Sequence, residues 1–322
     1  MRNVVSRILL CVGFLWGLAP PAVAQDAVPK LIRIVVPFSP GASNDAIARV
    51  IAPPLGKRLE TTVIVENRPG AAGVIGADAV AKSPRDGSAL LLTSSTFLTA
   101  AATQARLPYD PIGAFAPVAV VGQNPSLLAV SAASPFKTTA DLLAAARAKP
   151  DEITYGTAGV GSIGHMLTEL LMASAKIRMT HVPYKGAANA AIELASGQIV
   201  VMVSSYATLS AFLKSGKVRV LAVTSTKPHP AFPQFPPLSA TVPGFSSETW
   251  VGIFAPAGTS ERLVERLNRE INEISASPEL KAFLEPDGMI AVAMNPAAFS
   301  ARVKQELGEW RKIATTRKIV AE

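Results

Sequence analysis

From Leu31 onward, short apolar and β-branched runs alternate with longer stretches in which apolar positions recur every three or four residues. The runs at 31–36, 63–66, 89–93, 153–156, 179–182, 199–203 and 218–224 are too short for helices and nearly free of charge. That is the composition of parallel strands buried on both faces of a sheet. Helical periodicity fills 45–52, 140–148, 165–175, 188–195 and 206–214. Several of these begin near Ser, Thr or Asn, whose side-chain oxygens accept from the free N–H groups of a first turn. The alternation is the signature of βαβ units, parallel sheets covered by helices. Pro53-Pro54 is expected to end or kink the first helix, because proline has no N–H for the preceding turn and disfavours a helical residue before it.

Two extended stretches, 115–131 and 248–256, show no helical periodicity and read as strands crossing between two lobes. Segment 227–243 is proline-rich but carries Phe232, Phe235 and Leu238 to pack, so it reads as a rigid surface loop. Helices follow at 261–275 and from Pro296 to about 315, the second capped by Asn295. They return the chain to the first lobe. The expected fold is therefore α/β and two-lobed with a ligand cleft between the lobes: residues 25–125 and 248–322 make lobe 1, and 126–247 make lobe 2.

The N-terminus changes the picture of where the protein works. Arg2 and Arg7 precede an apolar run from Ile8 to Leu18, and Ala22-Val23-Ala24 sets small residues where a signal peptidase cuts. The run falls short of the ~20 apolar residues that span a bilayer, and Pro20-Pro21 ends it. Residues 1–24 are read as a secretory signal peptide, which makes the expected compartment the periplasm. The only cysteine, Cys11, lies inside it, with too little chain before it for a lipoprotein signal, so no thiol remains for disulfides or metal. The net charge is +8, two units of which leave with Arg2 and Arg7. Lysines and arginines are scattered and aromatics make up only 6% of the chain, which argues against nucleic acid and for a mildly cationic cleft that attracts anions.

Four strand ends carry candidate chemistry. The first connection, 37–45, offers Phe38 to cover an apolar ligand part, Gly41 for close backbone approach, and Ser39, Ala42, Ser43 and Asp45 around a helix N-terminus whose free N–H groups suit a carboxylate. An ordinary capped helix is the alternative. The second, 156–165, contains Ala158, Gly159, Ser162 and His165, and its glycines at 159, 161 and 164 match the spacing of a dinucleotide-binding turn. About twenty residues further on, where such a site needs an acid for the ribose, the chain has Thr180, His181, Val182, Pro183, Tyr184 and Lys185, so no nicotinamide cofactor is expected. Thr93, Ser94, Ser95 and Thr96 end the third strand, and Ser204 and Ser205 a later one. Each hydroxyl taken alone reads as a helix cap, but together they point to one cleft with neutral donors. Arg33, Arg49 and Lys185 are candidate counter-charges. Ser162 and His165 also suggest a hydrolase, yet they lack an acidic partner and the nucleophile-elbow pattern. The three histidines, His165, His181 and His229, have no ligand-like spacing, so no metal is expected.

Taken in order, Ile34 to Gly41 with Asp45, Val65 to Gly73, Leu107 to Pro111, His181 to Gly186, Leu221 to Ser225 and Phe254 to Thr259 resemble the extracytoplasmic solute receptors of the tripartite tricarboxylate transporter family, often called the Bug type. The resemblance covers nearly all the chain after the leader. It implies a type II periplasmic binding-protein fold, no catalysis, a monomer that closes on a small carboxylated ligand, and docking to transporter subunits in the membrane. By the same resemblance the carboxylate is held by Phe38 to Ser43, Thr93 to Thr96 and Ala158 to His165; Tyr184 is a further candidate contact beside the strand-end hydroxyls of Ser204 and Ser205. Relatives take di- or tricarboxylates, acidic amino acids or aromatic acids. Two departures stand out: Ala42 replaces a common second glycine, and Val203 to Tyr206 lacks the aspartate that relatives often carry. The second favours a plain or aromatic carboxylate over an amino acid. A periplasmic enzyme, acting through Ser162 and His165 or through the glycine-rich turn, is the competing expectation.

Overall fold

The alternating pattern becomes two five-stranded sheets in a computed structural model that describes residues 28–321. The signal-peptide expectation for residues 1–24 lies outside them. The first sheet contains β1 (Leu31–Val36), β2 (Thr62–Asn67), β3 (Ala89–Ser94), β4 (Phe115–Pro125) and β10 (Glu248–Pro256), in the order β2-β1-β3-β10-β4. The second contains β5 (Leu127–Ser131), β6 (Thr154–Thr157), β7 (Thr180–Pro183), β8 (Val201–Ser204) and β9 (Val218–Val223), in the order β7-β6-β8-β5-β9. Helices α1 (Ser43–Leu59), α2 (Val74–Ala81) and α3 (Thr96–Thr103) follow the first three strands. Helices α4 (Thr139–Ala148), α5 (Ile163–Ala175), α6 (Ala187–Ser196) and α7 (Tyr206–Lys214) belong to the second half, and α8 (Glu261–Ser275), α9 (Pro278–Leu284) and α10 (Pro296–Arg317) close the chain.

Neither sheet is wholly parallel, which corrects the reading of uniform βαβ units. β10 runs antiparallel between β3 and β4, and β5 runs antiparallel to both β8 and β9. Parallel pairing follows from a helical crossover. β4 and β5 have none between them: Ser126 alone separates them, and the chain passes straight from one sheet into the other. The stretch 248–256 was expected to be a second crossing and is instead a central strand, with Trp250 opposite Gln123 and Ile253 opposite Leu92. The return passage lies just before it. There the Ser126 N–H donates to Thr224 Oγ1 at 2.8 Å, the Thr224 N–H to the Ser126 carbonyl at 2.9 Å, and the Ser247 N–H to the Thr224 carbonyl at 3.1 Å. The passages are thus bonded to each other.

The prolines do not end α1: Pro53 and Pro54 leave the Arg49 and Val50 carbonyls without donors, yet the helix continues five residues past Pro54, to Leu59. Pro53 is exposed and Pro54 half-buried, so water reaches that side, while Ile47, Ile51, Leu55 and Leu59 are buried on the other. Burying four such side chains stabilises by about 6–12 kcal/mol, which offsets the ~3 kcal/mol that each of the two prolines costs. α10 packs on β4, α3 and α5, and so touches both halves of the molecule. A single apolar cluster runs from Leu91 and Phe254 through Trp250, Phe299 and Trp310 to Met166 and Leu171.

Candidate functional site

The carboxyl ends of β1, β3, β6 and β8 open on a cavity of about 280 Å³ between the sheets. Its wall is made largely of helix beginnings: Ser43 and Asn44 of α1, Thr96 of α3, Ile163 and Gly164 of α5, Ala187 of α6, and Ala207 and Thr208 of α7. Ser126 and Thr249, at the passage between sheets, add hydroxyls, Asn124 an amide, and Trp250 and Met202 apolar surface. The first N–H groups of a helix have no carbonyl partner within it. Side chains cap only part of this set. Ser162 Oγ accepts from the His165 N–H and Ser205 Oγ from the Thr208 N–H, whereas Ala42 and Gly186 offer α1 and α6 no cap. Ser95 stands at the start of α3, but its Oγ accepts from the Trp250 N–H at 2.9 Å instead. Of the helices that start outside the cavity, α4, α8, α9 and α10 are each capped by their own Thr138, Ser260, Ser277 and Asn295, while α2, which follows Gly73, is not.

No lysine, arginine or histidine lines the cavity, and Asp287 is its one charged side chain among the described residues. Positive potential there comes from helix ends, each equivalent to roughly half an elementary charge. Such an array binds an anion through N–H groups already in place.

Of the residues singled out in the sequence, Ser43, Ser94, Ser95, Thr96, Ala158, Ser162, Ser204 and Ser205 line this cavity. The others do not line it. Asp45 is buried and accepts from the Gly41 N–H at 2.9 Å, Arg49 Nε at 3.0 Å and Asn67 Nδ2 at 2.9 Å. Arg49 foremost, then the Gly41 N–H, holds its carboxyl down to about 2 against the opposing effect of desolvation. Asn67 Nδ2 also reaches the Phe38 carbonyl at 3.1 Å, and the Ala42 N–H donates to the Ser39 carbonyl at 3.1 Å. Asp45 therefore clamps the 37–43 loop that presents α1. Gly41 sits at φ +82°, whereas Ala42 at φ −67° is an ordinary extended residue whose Cβ brings no backbone strain. Thr93 is buried within β3, Gly159 shapes its turn at φ +124°, and Tyr184 packs beside Gly156 within the second half. The candidate counter-charges are elsewhere: Arg49 is on Asp45 and Arg33 on Glu66, and Lys185 does not line the cavity.

His165 turns away from the cavity into a buried cluster. Its Nδ1 accepts from the Gly161 N–H at 3.1 Å, and its Nε2 lies 3.7 Å from Glu169 Oε1. The acid missing from the sequence reading is therefore present, but it completes no nucleophile. Ser162 Oγ meets the backbone N–H of His165, and both ring nitrogens are engaged elsewhere. The ring stacks on His181 with centroids 3.9 Å apart, and His181 Nε2 lies 2.7 Å from Thr157 Oγ1. Burial first, then the neighbouring His165, depresses His181 from 6.5 to about 4. Between those values the unfolded chain binds a proton that the folded one refuses, so this contribution is complete above pH 6.5 and is lost as pH falls toward 4. From pH 7.5 to 5 it amounts to about 2 kcal/mol. Urea unfolding at the two pH values should show that loss, and His181→Asn should remove most of it; an unchanged pH slope in the variant would contradict the assignment.

Comparison with known proteins fits this geometry. The sequence profile of the tripartite tricarboxylate transporter family receptors matches residues 47–319. The UPF0065 protein in the tcbD-tcbE intergenic region of Pseudomonas sp. strain P51 is 38% identical over 291 residues, covering 89% of this chain and 87% of that protein. Rpa4515 of R. palustris, solved with adipate, superposes with a TM-score of 0.77 at 32% identity, covering 90% of this chain and 98% of that one. The periplasmic binding protein BugD superposes at 0.74 and 29% identity, with 90% and 98% covered. The chain belongs to the Bug-type receptors of the tripartite tricarboxylate transporter family, solute-binding proteins of the periplasmic type and not enzymes.

Proposed function

We propose that this protein captures a small carboxylate in the cavity between the sheets and delivers it to a tripartite membrane transporter. The observation that carries the reading is a cavity walled by five helix N-termini, three without a side-chain cap, and by no basic side chain. Adipate in the related Rpa4515 supports a carboxylate as the ligand class. Ser43, Ser94, Ser95, Thr96, Ala158, Ser162, Ser204 and Ser205 contact the ligand. Phe38, Ser39, Gly41, Ala42, Asp45, Thr93, Gly159, His165 and Tyr184 hold those contacts in place. Lobes made of residues 25–125 with 248–322, and of 126–247, close around the passage at Ser126, Thr224 and Ser247. Closure excludes water, and the partial charges of the helix ends then act at a lower dielectric. Residues 1–24 export the chain, and it works in the periplasm as a monomer.

The test is thermal unfolding of the chain from Gln25 onward with mono-, di-, tri- and aromatic carboxylates and amino acids, and with NAD as the control. A ligand at a hundredfold excess over its dissociation constant adds about 2.7 kcal/mol, a shift of a few degrees in a protein of this size. Stabilisation confined to carboxylates is the expected result. A shift with NAD alone would overturn it.

A further inference from the structure

The cavity assigned above to a carboxylate has one charged side chain in its wall, and that charge has the ligand's sign. Asp287 ends the short 3-10 turn Glu285–Asp287 that follows α9. Three features make it an odd place for an acid. The side chain is half-buried, and burial raises its pKa. Among the described residues it has no hydrogen bond and no ion pair. It also sits at the C-terminal end of a helical segment, where the backbone dipole disfavours negative charge.

The backbone holds it there. Gly288 follows at φ +68°, and its N–H donates to the Glu285 carbonyl at 2.8 Å. The Met289 N–H donates to the Leu284 carbonyl at 3.2 Å, and Ile290 exchanges two hydrogen bonds with Gln123 at 2.8 and 2.9 Å. Phe232 lies so close to Gly288 that a methyl group there would meet its ring at 2.3 Å. The other charges nearby on this segment, Lys281 and Glu285, line a separate recess with Pro230 and not this cavity. Among the described residues no side chain pairs with the acid.

We propose that Asp287 is the specificity-determining residue of the cleft: it accepts a hydrogen bond from a hydroxyl or ammonium group on the ligand's far end and rejects a second carboxylate. The inference rests on the carboxylate reading of the same cavity. A second carboxylate held within about 7 Å of Asp287 loses about fiftyfold in affinity at an effective dielectric near 20. A hydroxyl or ammonium group in the same position gains a charge-assisted hydrogen bond.

The experiment is calorimetric binding of matched series with four to eight carbons, each comprising the plain monocarboxylate, its ω-hydroxy and ω-amino forms and the dicarboxylate, to the wild-type protein and to Asp287→Asn. The wild-type protein should favour a hydroxy or amino form over the dicarboxylate of equal length by tenfold or more. In Asp287→Asn that ratio should collapse, chiefly through tighter dicarboxylate binding. Wild-type preference for the dicarboxylate, or a ratio that Asp287→Asn leaves within twofold, overturns the inference and leaves the carboxylate reading standing. Binding of no member by either protein overturns both. The wild-type ratio decides the matter even if the variant folds poorly.

Discussion

Asn44→Asp should weaken carboxylate binding about a hundredfold while leaving the empty protein as stable as before, or more so. Asn44 is buried at the second position of α1 and lines the cavity. Aspartate has nearly its shape, so packing is preserved. The new charge meets a positive helix end that has no side-chain cap, where an acid typically adds 0.3–1 kcal/mol, about a degree or two in melting temperature. A bound carboxylate must share that helix end. Two unit charges about 5 Å apart at an effective dielectric near 20 repel by about 3 kcal/mol, which is about a hundredfold in affinity. Melting temperature and calorimetry on one preparation read the two effects together. Lost affinity in a destabilised protein would mean only damage; affinity within threefold of wild type would mean that the α1 N-terminus does not hold the anion.

The largest loss of stability is expected from Glu169→Ala, about 3 kcal/mol by urea unfolding at neutral pH. Glu169 accepts from Tyr155 OH at 2.6 Å and from Arg317 Nε, and it faces His165. Burial alone would raise its carboxyl, but His165, Tyr155 and Arg317 together bring it to about 2, so it is ionised throughout the physiological range. Removing it leaves a buried phenol and a guanidinium without their acceptor. Glu169→Gln keeps a carbonyl for one of them and should lose about half as much. Because Arg317 belongs to α10 and Glu169 to α5, the variant also loosens the tie between the two halves. Equal stability of Glu169→Ala and wild type would show that solvent already compensates these groups.

The inner strands β3, β5 and β8 were legible because each buries a nearly continuous apolar run, whereas β2 and β7 bury none of their residues fully; the periodicity of α5 or α8 marks one face for the core. β10 misled for the same reason. An extended apolar stretch without helical period looks identical whether it crosses between sheets or lies in the middle of one, and only the partners Leu92 and Gln123 decide. α1 ran through two prolines because burial at Ile51 and Leu55 is a tertiary term that local rules do not contain. In the site, Ser43, Ser94 and Ser204 were readable as hydroxyls at strand ends. Asn44 and Thr208 lie one turn position further on, and the same helix-start signal reaches them. Asn124 and Thr249 come from β4 and β10 and Ser126 from the single residue between β4 and β5, and no local pattern marks them. Asp287 arrives from a turn some 240 residues away from Asn44 in sequence, which only the closed fold brings to one wall. His165 was readable as a residue of the turn, but its buried stack on His181 follows from the pairing of β6 with β7.

The position of β10 sets an order on folding. Strands β5 to β9 and their helices form one uninterrupted stretch of chain, so their sheet can assemble as soon as Val223 has left the ribosome or the translocation channel. The other sheet cannot. β3 and β4 have no bond to each other until β10 is inserted between them, and β10 ends at Pro256. Until then β3 and β4 each keep an unpaired edge, a state open to aggregation and to chaperones. The part of the chain that is made first is therefore completed last.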